Sequence, residues 1–110
     1  MTEALEATEA VGAAGATHPR VALKDIQDAI GSQFFVTADV AVGQSGMKPL
    51  CLLTLCILVM KNGFVVVGKS APASPENFDA EKGRTFAYED AVRQLWPLMG
   101  YALRDKLSYL

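Results

Sequence analysis

Histidine is nearly missing from this sequence and cysteine is scarce: His18, Cys51 and Cys56 are the only imidazole and thiol ligands in 110 residues. A structural metal site gathers several such ligands at close spacing, so neither a metal nor a cofactor is expected. Basic residues are no more abundant than acidic ones, the formal net charge is −2, and no stretch concentrates lysine and arginine. Affinity for duplex nucleic acid rests largely on neutralising phosphates, which argues against duplex nucleic acid as a partner. A local site for one or a few phosphates stays open. The longest apolar run, residues 50–60, is about half of the roughly 20 residues a membrane-spanning helix needs, so no membrane partner is expected. No basic-then-apolar leader stands at the start, and the cell interior is the default compartment.

Cys51 and Cys56 sit inside that apolar run. On a strand, their odd spacing puts them on opposite faces, where they cannot pair. They read as small core hydrophobes in a reducing compartment.

What is present is enough for one core. Hydrophobic residues make up 51% of the chain, and a domain of this size buries only about 65% of its unfolded surface, so self-association would help. Residues 1–18 are mostly Ala, Glu, Thr and Gly and cannot offset their own ordering entropy, which predicts a disordered tail. Pro19 opens a helical signal carried by Val21, Leu23, Ile26 and Ile30, with Gly31 as its stop. Phe34, Phe35 and Val36 are expected to dock this helix end on the core. Gly43, Gln44, Ser45 and Gly46 mark residues 37–49 as a loop.

Residues 50–60 are apolar except for Thr54, and Phe64-Val-Val-Val-Gly68 answers them across Lys61-Asn62-Gly63. An Asn-Gly pair accepts the positive φ angles of a tight hairpin turn. The first arm is compatible with a helical start, whereas three consecutive valines make the second arm a strand. Neither arm alternates apolar with polar, so both faces want cover. One helix layer covers one face; a second element or another subunit is needed for the other. Pro72, Ser74 and Pro75 form a rigid linker. A long helix is expected from Asp79, its N-cap, through Tyr88, Ala91, Val92, Leu95, Met99, Ala102, Leu103 and Leu110. Pro97 and Gly100 predict a kink or a break into two helices near residues 96–100. The expected fold is therefore α+β: an antiparallel β-hairpin sheet packed with an N-terminal helix and a long, Pro-kinked C-terminal helix. It forms a single domain over residues 19–110.

Several stretches carry a resemblance: Leu55-Cys-Ile-Leu-Val-Met-Lys-Asn-Gly-Phe64, Gly68-Lys-Ser-Ala71, Ser74-Pro-Glu-Asn-Phe-Asp79, Gly83-Arg84 and Trp96-Pro-Leu-Met-Gly-Tyr101. Over residues 53–107 the chain resembles a widespread family of small tailed-phage proteins, and Pro19-Arg20-Val21 is similar to the point where many members start their first helix. That family looks like the one containing the type-one Thoeris anti-defence proteins. These act as sponges for cyclic ADP-ribose isomers, and some, as hexamers, also bind cyclic oligonucleotides of the CBASS pathway. The resemblance implies a homo-oligomer, a dimer or hexamer, that sequesters a cyclic nucleotide second messenger in the cytoplasm of the infected host. The sequence departs from many relatives at Pro72, where they show Cys, at Met99, where they show Glu, and at Asp90, where they often show Asn.

Asn77 and Phe78 are the first candidate ligand-binding residues. Phe78 would stack on a purine and Asn77 read its edge, above a helix N-terminus that favours phosphate. Their plainer reading is an Asx-type turn with Phe78 as a hydrophobic staple. Arg84 sits one turn into the helix, where a cation opposes the helix dipole. That suits a pyrophosphate partner or, equally, a salt bridge to Glu81 or Asp79. Lys82 reads as solvated. Arg104 and Lys106 suit the dipole at the helix C-terminus, although Arg104 could reach a ligand phosphate across a subunit contact. Tyr88 and Trp96 are core or interface aromatics, with one wall of a base-stacking pocket as the alternative. His18 has no neighbouring nucleophile, and Glu76, Asp79, Glu81, Glu89 and Asp90 lack metal spacing. No catalytic set can be assembled, so a binder rather than an enzyme is expected. The rival reading is a phage protein that inhibits a host protein through its apolar surface.

Overall fold

The hairpin forms where the turn residues place it, and its chemistry sets the geometry of the rest. Residues 3–110 are described in a computed structural model, so Met1 and Thr2 of the expected tail lie outside the described residues. The strands of the hairpin are β2 (Thr54–Met60) and β3 (Val65–Ser70). Gly63 takes φ 89°, while no residue other than glycine has a positive φ among those described. The turn is therefore closed by the Gly63 N–H donating to the Met60 carbonyl at 2.8 Å and the Met60 N–H donating to Phe64 at 2.8 Å. This is a turn followed by a left-handed glycine rather than a pair of left-handed residues. The Asn62 carboxamide oxygen accepts from the Phe64 N–H at 2.9 Å.

The sheet has a third strand that the sequence reading lacked. Strand β1 (Ile30–Thr37) pairs antiparallel with β2, giving the order β1-β2-β3. Gly31, expected to stop a helix, lies where the β1–β2 register shifts between Ile30 and Ser32. The helix before it, α2 (Leu23–Ala29), ends sooner than expected, because Phe34, Phe35 and Val36 favour a pleated, half-buried surface over a helix-docking loop. The loop that follows contains a short helix, α3 (Ala38–Ala41). It is held by buried Asp39, whose carboxylate accepts from the Gly46 N–H at 2.8 Å. Residues 50–52 form a 3-10 turn, so the first hairpin arm starts at Thr54.

Paired residues share a face, so the register sorts the side chains. Thr54, Cys56, Leu58, Met60, Val66 and Gly68 are buried on one face. The long helix α4 (Ala80–Leu107) crosses that face with Ala87, Tyr88, Ala91, Val92 and Leu95. Asp79 caps it as expected, accepting from the Lys82 N–H at 3.0 Å. The expected break near Pro97 does not occur; α4 is one helix with Pro97 inside it. Packing of Leu95, Trp96 and Met99 against the core supports the turns around the proline, and the Trp96 indole donates to the Val21 carbonyl at 2.9 Å.

The expected N-terminal tail is likewise corrected. Glu3–Ala13 form helix α1, and Leu5 is fully buried in the shared core. Glu9 fastens it by accepting from the Arg20 guanidinium at 2.8 Å and the Leu23 N–H at 3.2 Å. Low average hydrophobicity hid one well-placed leucine and one ion pair on an alanine-rich segment of high helix propensity.

Candidate functional site

The hairpin and α4 meet at the far end of the sheet from the turn, and two concavities open there. The first, about 160 Å³, is lined by Thr54 and Ser70 at the strand ends, by Pro72, Asn77 and Phe78 from the linker, and by Lys82 of α4. The second, about 180 Å³, is lined by Val36 and Thr37 of β1, Thr54, Phe78 and Arg84. Phe78 and Thr54 belong to both. The linker turns through a 3-10 element, Pro75–Asn77, and the Phe78 N–H donates to the Pro75 carbonyl at 3.1 Å. That turn delivers Phe78, half-buried, between the two concavities and leaves Asn77 exposed at the first. Gly83 permits the close approach of α4 to Thr54, since a Cβ there would meet the Thr54 hydroxyl at 2.7 Å.

The charges are arranged asymmetrically. Asp79 already places its own carboxylate on the first turn of α4, so the helix N-terminus is less of an anion seat than the sequence suggested. Lys82 and Arg84 flank Phe78 instead, one at each concavity. Among the described residues the ion pairs are Arg20–Glu9 and Lys24–Asp28, and the expected bridges from Arg84 to Glu81 or Asp79 are not among them. Two cations without carboxylate partners, an exposed carboxamide and an aromatic edge are what a phosphorylated, aromatic ligand uses. Neither concavity alone reaches the roughly 300 Å³ of an ordinary small-molecule site.

The structure therefore brings together Asn77, Phe78 and Arg84, and separates the other two candidates from them. Tyr88 is buried in the core, with burial raising its phenol pKa and a hydrogen bond to Gln27 opposing that shift. It is packing, not a stacking wall of this cleft. Arg104 lies about 30 Å further along α4, at 1.5 Å per residue. There it lines a shallow groove of about 340 Å³ with Arg20, Trp96 and Leu103. Thr54, Ser70 and Lys82 are the lining residues that sequence reasoning passed over; Thr54 had announced itself as the one polar residue of an apolar run. A larger groove of about 580 Å³ lies at the hairpin-turn end between Met60, Phe64, Leu95, Leu98 and Met99. Its lining is mostly apolar, with Lys61 and Asn62 of the hairpin turn as the polar members.

Fold and concavities together describe a small α+β protein with two small concavities on either side of Phe78 at one end of its sheet. The family of this chain is defined by a profile that matches residues 21–107, that of the phage protein (N4 Gp49/phage Sf6 gene 66) family, and the chain belongs to it. The match begins after α1. No curated protein and no solved structure matches the chain. No helix among the described residues is long and apolar enough to cross a membrane.

Proposed function

We propose that this phage protein is an anti-defence sponge that binds cyclic nucleotide immune signals and holds them without cleaving them. Cyclic ADP-ribose isomers are the leading ligands, and CBASS cyclic oligonucleotides the next. The observation that supports this reading is the placement of Phe78 between two concavities, with Asn77 and Lys82 at one and Arg84 at the other. A purine stacks on an aromatic ring for about 1–3 kcal/mol, a carboxamide matches the adenine edge, and two cations balance a pyrophosphate. Because each concavity is half-sized, the ligand straddles Phe78 or is enclosed by a second copy. Arg104 is too far along its own helix to help, so any contribution from it comes from a neighbouring chain. Retention needs only desolvation and charge pairing, so capacity scales with the amount of protein.

The test is to load the protein with a cyclic ADP-ribose isomer, remove free ligand, denature by heat and identify what is released. Intact ligand in fixed proportion to protein is expected, with retention lost in Phe78→Ala and Arg84→Ala. Release of altered ligand, or no retention of either signal class, would sink the proposal.

A further inference from the structure

The groove at the hairpin-turn end lies away from Phe78, and its size of about 580 Å³ falls inside the roughly 300–1,000 Å³ of ordinary small-molecule sites. Met60 of β2 and Leu95 of α4 are its buried members, while Phe64 and Leu98 leave 53% and 46% of their surfaces open. From Leu95 to Ala102 the groove follows α4 for about 10 Å, at 1.5 Å per residue. Its two polar members, Lys61 and Asn62, are neighbours on the turn, and every other lining side chain is apolar. Both offer donors only. The Asn62 carboxamide oxygen already accepts from the Phe64 N–H at 2.9 Å, which leaves its NH2 group. Lys61 is in neither of the ion pairs found among the described residues, and no carboxylate lines the groove.

The geometry points to a ligand site here for a free, medium-chain fatty acid. Its hydrocarbon tail lies along α4 between Phe64 and Leu98, and its carboxylate accepts from the Lys61 ammonium and the Asn62 NH2 group. The inference is independent of what binds beside Phe78. Size selects a small ligand over a protein. Taking about 200 Å² for an aromatic side chain and about 60–120 Å² for an aliphatic one, the open apolar surface of the groove is on the order of 250 Å². Each side of a specific protein interface needs about 800 Å², so the groove by itself holds neither a foreign protein nor a second copy.

Chemistry selects the head and the tail. One cation beside one carboxamide balances a single negative charge and supplies a donor to each of two oxygens, which describes a carboxylate. A phosphate monoester carries about −1.5 to −2 at pH 7 and would stay under-neutralised. A cationic head would meet no acceptor. Polar groups gathered at the turn and an apolar trough beyond them match a ligand that is polar at one end only. Met60 and Met99, unbranched and adaptable, suit a flexible chain. Each methylene taken fully out of water strengthens binding about fourfold.

Methionine-methyl NMR of the full chain, titrated with decanoate below its micelle concentration, tests this. The Met60 and Met99 signals are expected to shift saturably, while Met47, which does not line the groove, stays in place. Octanoate, shorter by two methylenes that are partly exposed in the trough, is expected to bind about tenfold more weakly. Lys61 is exposed, so Lys61→Gln spares the fold. It is expected to weaken decanoate about fivefold and to leave decanol unchanged. No shift at Met60 and Met99 overturns the inference, and so does an equal shift at Met47. Equal affinity for decyltrimethylammonium, or decanoate binding indifferent to Lys61→Gln, overturns it as well. Shifts of Met60 and Met99 on raising the protein concentration alone would show another copy in the groove and count against it too. Retention of a cyclic ADP-ribose isomer without decanoate binding would leave the sponge reading standing while this one fails, and the reverse result would do the opposite.

Discussion

A Cβ on Gly68 would stand 2.0 Å from the carbonyl oxygen of Ala87, so strand β3 and helix α4 meet backbone to backbone. The Ala91 amide nitrogen and methyl group, at 2.5 and 2.8 Å from the same point, leave no direction of escape. Gly68→Ala must push the helix off the sheet and is expected to cost about 2–3 kcal/mol, read from urea unfolding. Gly100, on the same helix, has nothing within 4 Å of its would-be Cβ. Gly100→Ala is expected to stabilise by about 1 kcal/mol through helix propensity. Equal effects of the two substitutions would refute the close approach.

Asp90 and Gln94 act together to plug the β3 edge: the Lys69 N–H donates to Asp90 at 2.9 Å, and the Gln94 carboxamide donates to the Val67 carbonyl at 2.8 Å and also reaches the Asp90 carboxylate at 3.3 Å. Asp90→Ala and Gln94→Ala are each expected to cost about 0.5–1 kcal/mol and to be non-additive because they share a network. Asp90→Asn retains an acceptor for the Lys69 N–H, so it is expected to be close to neutral. Amide exchange at Lys69 is the direct measure: fast in Asp90→Ala, slow in Asp90→Asn.

The two thiols should differ in reactivity. Burial pushes the Cys56 thiol up to about 11, whereas Cys51 is half-exposed in the 3-10 turn. Near pH 8 a thiol reagent is expected to label one cysteine per native chain and two after unfolding in urea. Because the Cys56 pKa is raised on folding, its contribution is fully present below the ordinary thiol value of 9.0. It is lost as pH rises from there through the folded value. Rapid labelling of both thiols in the native chain would contradict the burial of Cys56.

Helix α1 should detach before the rest of the protein in acid. The Arg20 guanidinium, aided by the Leu23 N–H, holds Glu9 below its ordinary value of 4.5. A lowered folded pKa stabilises docking at pH above that ordinary value, and the contribution is lost as pH falls through the folded one. Amide signals of residues 3–13 are expected to collapse to exposed values as pH falls below the ordinary carboxyl value of 4.5 and through the lowered folded one, while those of β2 persist. Leu5→Ala is expected to do the same at neutral pH, because its loss is limited to the docking energy of α1. Loss of α1 only with the whole fold would show that Leu5 belongs to one cooperative core.

Local chemistry was sufficient for the hairpin and for the long helix. Asn62-Gly63 between apolar runs forces a reversal, three consecutive valines prefer a pleated surface, and Asp79 can satisfy an orphan N–H only at a helix start. The pairing of Phe78 with Asn77 and Arg84 was visible for the same reason, since all three lie within one turn of that start. What lay beyond reach were contacts between distant segments. Phe34, Phe35 and Val36 favour a strand but do not name its neighbour; β2 supplies the hydrogen bonds that make residues 30–37 one. Average composition could not reveal that Leu5 would find a slot in the core, nor helix propensity that α4 would continue through Pro97. Spacing along the helix left Tyr88 and Arg104 open as ligand contacts, and tertiary packing decided against them in one chain, burying the first and carrying the second to the opposite end. The sequence by itself determined which short segments reverse, extend or coil, because those choices depend on neighbours a few residues apart. The tertiary structure alone decided which faces are covered, which edge is plugged and which cations are left without partners, because those depend on surfaces that meet only after folding.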